Sequence, residues 1–186
     1  MVTNGGTRCR TDAFHGTETT TCSRASTCAA EHTCLGRCAR YCDDDDDCPG
    51  PGGLCILPIL FANQPIPGVK VCTTDCNPNQ AANPTCPAGW GCHLFQEGDG
   101  DRRWLTNCEG APQSGGEVGA ACSRSAECRP GLDCFGEGLG MGTHCHPTCV
   151  CPGGDCAEGT CPAATGTCHS YTPPALIGTT TYGKCF

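Results

Sequence analysis

The sequence predicts a small, disulfide-rich, irregular β fold: tandem cysteine-rich modules with short hairpins and little or no helix. Three observations lead there. The chain carries 23 cysteines in 186 residues, as many as its Leu, Ile, Val and Phe residues together. A short chain so rich in cysteine is a disulfide scaffold, in which cross-links replace a large apolar core. The cysteines also recur at matched spacings. Finally, no segment repeats apolar residues at the helical period, whereas several place β-prone arms around Gly, Asp, Asn or Pro.

With a net charge of −8 and 5% aromatics, the apolar content alone would leave the chain disordered. Bridges worth about 2–4 kcal/mol each must hold it instead. So many bridges need an oxidising compartment, which makes the protein secreted or part of an extracellular cell surface. An acidic chain with 11 Lys and Arg is a poor partner for nucleic acid. The longest apolar run, CILPILFA at 55–62, is interrupted by Pro58 and is too short for a membrane span. The first thirty residues hold no apolar stretch that could act as a signal peptide, so the chain reads as a mature form.

Read along the chain, an N-terminal arm (1–41) contains Cys9, Cys22, Cys28, Cys34 and Cys38. A first eight-cysteine module (42–109) contains Cys42, Cys48, Cys55, Cys72, Cys76, Cys86, Cys92 and Cys108. A Gly-rich linker (110–121) leads to a second module (122–186) with Cys122, Cys128, Cys134, Cys145, Cys149, Cys161, Cys168 and Cys185. The spacings are 6, 7, 17, 4, 10, 6, 16 in the first and 6, 6, 11, 4, 12, 7, 17 in the second. Short gaps stay short and long gaps stay long, as duplication requires, so both modules should pair in one order. The arm repeats the opening of the second module and reads as a truncated copy. Two extra cysteines, Cys151 and Cys156, flank the turn sequence PGGD and are expected to bond each other. Cys22, Cys28, Cys34 and Cys38 lie close enough to pair internally. That leaves Cys9 as the odd thiol, a candidate for an intermolecular disulfide.

The run CDDDDDC at 42–48 has the place of CSRASTC at 22–28 and CSRSAEC at 122–128. Only the length of five is shared, so the aspartates read as a solvated spacer. The alternating ligands of a calcium loop are missing. Three hairpins are expected, at 56–72, at 93–108 and, around a Pro–Pro break, at 169–185.

The pattern C-x5-C-x-x-G-x-x-C followed by C-x3-C, seen in CDDDDDCPGPGGLC and relaxed in CSRSAECRPGLDC, resembles the cysteine-rich repeats of secreted and surface lipoproteins from myxobacteria-like bacteria. The module start is also similar to the N-terminal cysteine-rich region of Dickkopf proteins. The resemblance covers residues 22–186 by spacing and implies an extracellular bacterial module for structure or interaction. It brings no catalytic residue and no ligand.

Chemistry is otherwise sparse. No two cysteines are three positions apart, which removes the usual zinc and redox pairs. His144 and His146 flank Cys145 and would share a strand face, but Cys145 belongs to the bridging series. The acidic EGDGD at 97–101 reads as a hairpin turn, and no serine sits in a nucleophile elbow. No enzyme activity, cofactor or metal is assigned. ILPILF at 56–61 offers Ile56, Leu57, Ile59, Leu60 and Phe61. The first reading is a small core for its module; the second is an exposed surface for a partner. Trp90 and Trp104 are expected to pack over disulfides. The functional expectation is an extracellular, disulfide-stapled structural or interaction protein that binds a protein partner or itself, such as a subunit of a surface assembly. The alternative is a secreted inhibitor or effector docking on a hydrolase.

Overall fold

The computed structural model describes residues 16–98, 101–110, 115–136, 142–162 and 166–186. Ten strands are present: β1 (His32–Cys34), β2 (Cys38–Cys42), β3 (Cys55–Phe61), β4 (Gln64–Cys72), β5 (Trp90–Gln96), β6 (Trp104–Gly110), β7 (Leu132–Gly136), β8 (Thr143–Cys151), β9 (Cys168–Ile177) and β10 (Thr180–Cys185). They form two four-stranded sheets, β1-β2-β4-β3 and β7-β8-β10-β9, and the separate ribbon β5-β6. All strand pairs are antiparallel. Among the described residues, helical structure is confined to three-residue 3-10 turns, in keeping with the small irregular β class that the composition predicts.

The bridges show how the fold is built. Cysteines close in groups of four, first to third and second to fourth: Cys22–Cys34 with Cys28–Cys38, Cys42–Cys55 with Cys48–Cys72, and Cys76–Cys92 with Cys86–Cys108. Cys122–Cys134 with Cys128–Cys145, and Cys149–Cys168 with Cys161–Cys185, complete the series. In every group the third and fourth cysteines face each other across a hairpin: Cys34 and Cys38, Cys55 and Cys72, Cys92 and Cys108, Cys134 and Cys145, Cys168 and Cys185. Directly opposed residues project from the same sheet face about 5 Å apart. Each pair therefore reaches down together and clamps the preceding loop beneath the hairpin. The clamp is constant and the finger above it varies in length. Cys151–Cys156 stands outside this scheme and closes a separation of only five residues. Cys9 lies outside the described residues.

The arm's four described cysteines thus make a whole clamp rather than a fragment. Its surroundings are repeated in the fourth group. Gly16 bridges to Cys28 as Gly116 does to Cys128. The Cys38 N–H donates to Thr20 O, and the Cys145 N–H donates to Ala120 O. A Cβ on Gly16 would sit 3.0 Å from the Cys38 sulfur, and one on Gly116 would sit 3.1 Å from the Cys145 sulfur. The glycines are needed because the chain passes directly over a bridge. The described end of the expected linker, from Gly115 to Ala121, consequently belongs to this fourth clamp.

Packing follows from the inventory. Buried sulfurs form separate clusters within the clamps. Trp90 lies over the group of Cys76, Cys86, Cys92 and Cys108, as the sequence suggests. Trp104 does not follow that expectation. It packs against Tyr171 at 4.8 Å, beside Leu94, Ala175, Ile177 and Tyr182, where β5-β6 meets β9-β10. The third hairpin turns at Gly178 rather than at its proline pair, which lies inside β9.

Polar residues join the groups. Arg37, 3% exposed, donates to the carbonyls of Cys38 and Cys72 and to Asn107 Oδ1 at 2.8 Å. It thereby connects three clamps, and its burial lowers its pKa to about 10. Thr106 Oγ1 donates to Thr74 O at 2.9 Å and accepts from the Cys76 N–H at 3.1 Å.

Candidate functional site: an uncharged finger

The second clamp carries the finger β3-β4. Cys55 and Cys72 close its base, and Ala62 and Asn63, with φ of 49° and 61°, form its two-residue tip. Positive φ at both central residues matches the twist of a hairpin. Asn adopts this region readily, whereas Ala does so with strain. From Cys55 to Val69 no residue is charged, in a chain that carries −8 overall.

The first reading of ILPILF as a module core is corrected here. Ile56, Leu57 and Ile59 are half-buried, while Leu60 is 57% and Phe61 75% exposed. Ile66, across the ribbon, is 38% exposed. The physical reason is topological. Only the base of β4 pairs with β2, through Tyr41–Val71 and Cys42–Lys70, so no described strand pairs with the distal half. Pro58, Pro65 and Pro67 lie in these strands. They remove N–H donors from both open edges and so block strand addition. What the finger offers a partner is side chains. At its base, Leu57, Leu35 and Trp90 line a notch of about 330 Å³ together with Arg37, Glu109 and Arg124.

Beside the base lies the acidic loop, and its role is larger than that of a spacer. Asp44 caps a 3-10 turn by accepting the Asp46 N–H, and Asp47 accepts the Asp43 N–H at 2.8 Å. Asp45 accepts the Cys55 N–H at 2.8 Å and pairs with Arg103, which also grips Glu97 through two 2.8 Å bonds. The last spacer residue of the fourth clamp repeats the motif, Glu127 accepting the Ser123 N–H. In the spacers of the second and fourth clamps, acceptors at particular positions hold the turn. Only Asp43, Asp44 and Asp46 remain exposed.

These contacts hold the Asp45 carboxyl below its usual range, chiefly through the Cys55 N–H, and the Glu97 carboxyl through Arg103. A lowered folded pKa means stability that is present above the unfolded value near 4 and lost as pH falls through the folded value. Melting temperature should therefore drop below about pH 4, and less steeply in Asp45→Ala. At neutral pH that variant should lose about 1 kcal/mol, because water screens the half-exposed Arg103 pair. Thermal melts of both proteins between neutral and acidic pH check it. An unchanged Asp45→Ala melt would return the loop to a plain spacer.

Comparison with protein-family models, curated proteins and solved structures finds no match to this chain. Its resemblance to known cysteine-rich repeats rests on spacing alone.

His144 and His146 lie perpendicular at 6.3 Å, Cys145 between them is bridged, and His146 stacks on Phe135 at 5.3 Å. Lys184 sits 5.3–5.7 Å from the rings of Phe135, Tyr171 and Phe186. Close sulfur groups such as Cys42, Cys48 and Cys72 are held in disulfides, which takes away the thiolates a metal would need. Sequence reasoning missed one buried pair. His93, fully buried, places Nδ1 3.5 Å from Asp133 Oδ1, and Asp133 Oδ2 accepts the Leu94 N–H at 2.9 Å. These residues lie 40 positions apart, and no local motif announces them.

Proposed function

We propose that this chain is an extracellular, non-enzymatic interaction protein whose disulfide clamps hold fingers for contact, with the β3-β4 finger as the principal contact element. The observation that carries the reading is Phe61, 75% exposed at the tip of an uncharged ribbon with two bridges at its base. Large apolar side chains gathered at an exposed tip mark interaction sites. A clamped finger loses little freedom on binding, so more of its contact energy appears as affinity. The spacing resemblance to bacterial surface repeats agrees with a secreted or cell-surface setting and with a subunit of an assembly.

A second reading, a secreted inhibitor or effector docking on a hydrolase, draws on the same rigid tip inserted as a wedge into a cleft. A photo-activated cross-linker placed at position 61 tests the proposal in the extracellular fraction of the source. Expected is a discrete protein adduct that is absent when the cross-linker is moved to exposed Thr179. Equal labelling from both positions would refute the finger as contact element. An adduct with a hydrolase that loses activity would favour the inhibitor.

A further inference from the structure

Ten of the eleven bridges among the described residues close clamps, and Cys151–Cys156 is the surplus one. The other four clamps hold their hairpins without a counterpart to it, so opening it alone leaves every clamp bond in place. It also stands against a clamp bond. Cys151 Sγ lies 3.9 Å from Cys168 Sγ, the sulfur that bonds Cys149. Cys149 and Cys151 are two positions apart on β8, so both project from one face of the sheet, and both are buried in one cluster with Cys168. Glycines leave room for these sulfurs. A Cβ on Gly183 would stand 2.9 Å from the Cys168 sulfur and 3.0 Å from that of Cys149, and one on Gly159 would stand 2.6 Å from Cys168.

We propose that Cys151–Cys156 is an exchange site for a small, positively charged thiol, and that on exchange Cys168 changes partner from Cys149 to Cys151. Disulfides exchange by attack of a thiolate on one sulfur, through a mixed disulfide. Cys156 is the more open of the pair, 6% exposed against 2% for Cys151, and lies between exposed Asp155 and Ala157. The incoming thiolate bonds to Cys156 Sγ, the Cys151–Cys156 bond breaks, and its electron pair leaves on Cys151. The Cys151 thiolate then attacks Cys168 Sγ. A Cys151–Cys168 bond forms, the Cys149–Cys168 bond breaks, and Cys149 leaves as thiolate and takes a proton from water. Two disulfides stand before and two after, so no oxidant is consumed. The slight exposure of both sulfurs admits only a small thiol. Asp155 and Glu158 beside Cys156, in a chain of net charge −8, attract a cationic one. The fifth clamp stays bridged two residues further along β8, and residues 152–158 lose their tie.

The test adds cysteamine in low excess to the folded, oxidised protein, in a Cys9→Ser background so that no odd thiol starts an exchange of its own. The reaction is stopped with acid, free thiols are alkylated with N-ethylmaleimide, and the bonds are mapped by digestion and mass spectrometry. One cysteamine on Cys156, alkyl label on Cys149 and a Cys151–Cys168 bond are expected, with the other bridges intact. The adduct should form about tenfold faster with cysteamine than with mercaptoacetate at equal thiolate concentration, and the difference should shrink as salt screens the carboxylates. Label on Cys151 with Cys149–Cys168 intact would overturn the change of partner. No adduct at Cys156, or first opening of any clamp bridge, would overturn the site itself. Faster reaction with mercaptoacetate would overturn the class of thiol assigned to it.

Discussion

Reduction of all eleven bridges is expected to unfold the protein completely. Among the described residues, the buried non-cysteine apolar cluster joins Leu94, Ala175, Ile177 and Tyr182, with Trp104 and Tyr171 at its edge. Four such residues cannot offset an ordering cost of about 1–2 kcal/mol for each residue of the backbone. The remaining buried apolar residues are mostly the cysteines themselves, and their contribution depends on the bonds between them. The effect should be graded. Replacing Cys48 and Cys72 by Ala opens a separation of 24 residues and should cost about 3.5 kcal/mol on the chain-entropy argument. Replacing Cys151 and Cys156 opens a separation of five and should cost about 2 kcal/mol. A chelator should change nothing. Amide exchange and far-ultraviolet dichroism with and without strong reductant provide the measurement. Protected amides in the reduced chain would show that side-chain packing, and not covalent clamping, holds the fold.

Asp133→Ala is expected to be among the most damaging single changes outside the cysteines, with a loss of about 2–3 kcal/mol. The carboxylate is 4% exposed and joins β7 to β5 through the Leu94 N–H and His93. Its removal leaves the Leu94 N–H without its acceptor and opens a gap beside the fully buried His93 ring. An unpaired buried donor carries the desolvation cost that its partner had offset. With the bridges intact, the melting temperature should fall by about 10 °C. Asp133→Asn keeps an oxygen for the Leu94 N–H and should recover part of the loss. In the double variant with His93→Ala the losses should fall short of additivity, because the two side chains share one contact. A loss below about 1 kcal/mol for Asp133→Ala would mean that β5 and β7 are joined mainly by other contacts.

The sequence by itself determined the class of fold and the means of holding it. Cysteine number against apolar content demands covalent support whatever the arrangement, and a duplicated spacing records duplicated loop lengths. One pairing order in the two long runs follows from that record, and the bond between Cys151 and Cys156 follows from the turn sequence between them. The hairpins around 56–72 and 93–108 were legible because turn residues act locally. Tertiary structure alone decided the rest. The unit of construction is a four-cysteine clamp, because the third and fourth cysteines stand opposite each other across a hairpin, a relation that spacing does not encode. Asp45 became an acceptor for the Cys55 N–H of its own clamp and for Arg103 because the third clamp brought that side chain to it. His93 and Asp133 met for the same reason. Whether ILPILF is core or contact surface depends on whether another segment lies over it. A run of apolar residues records a preference for burial, and only the arrangement of the other fingers leaves Leu60 and Phe61 in water.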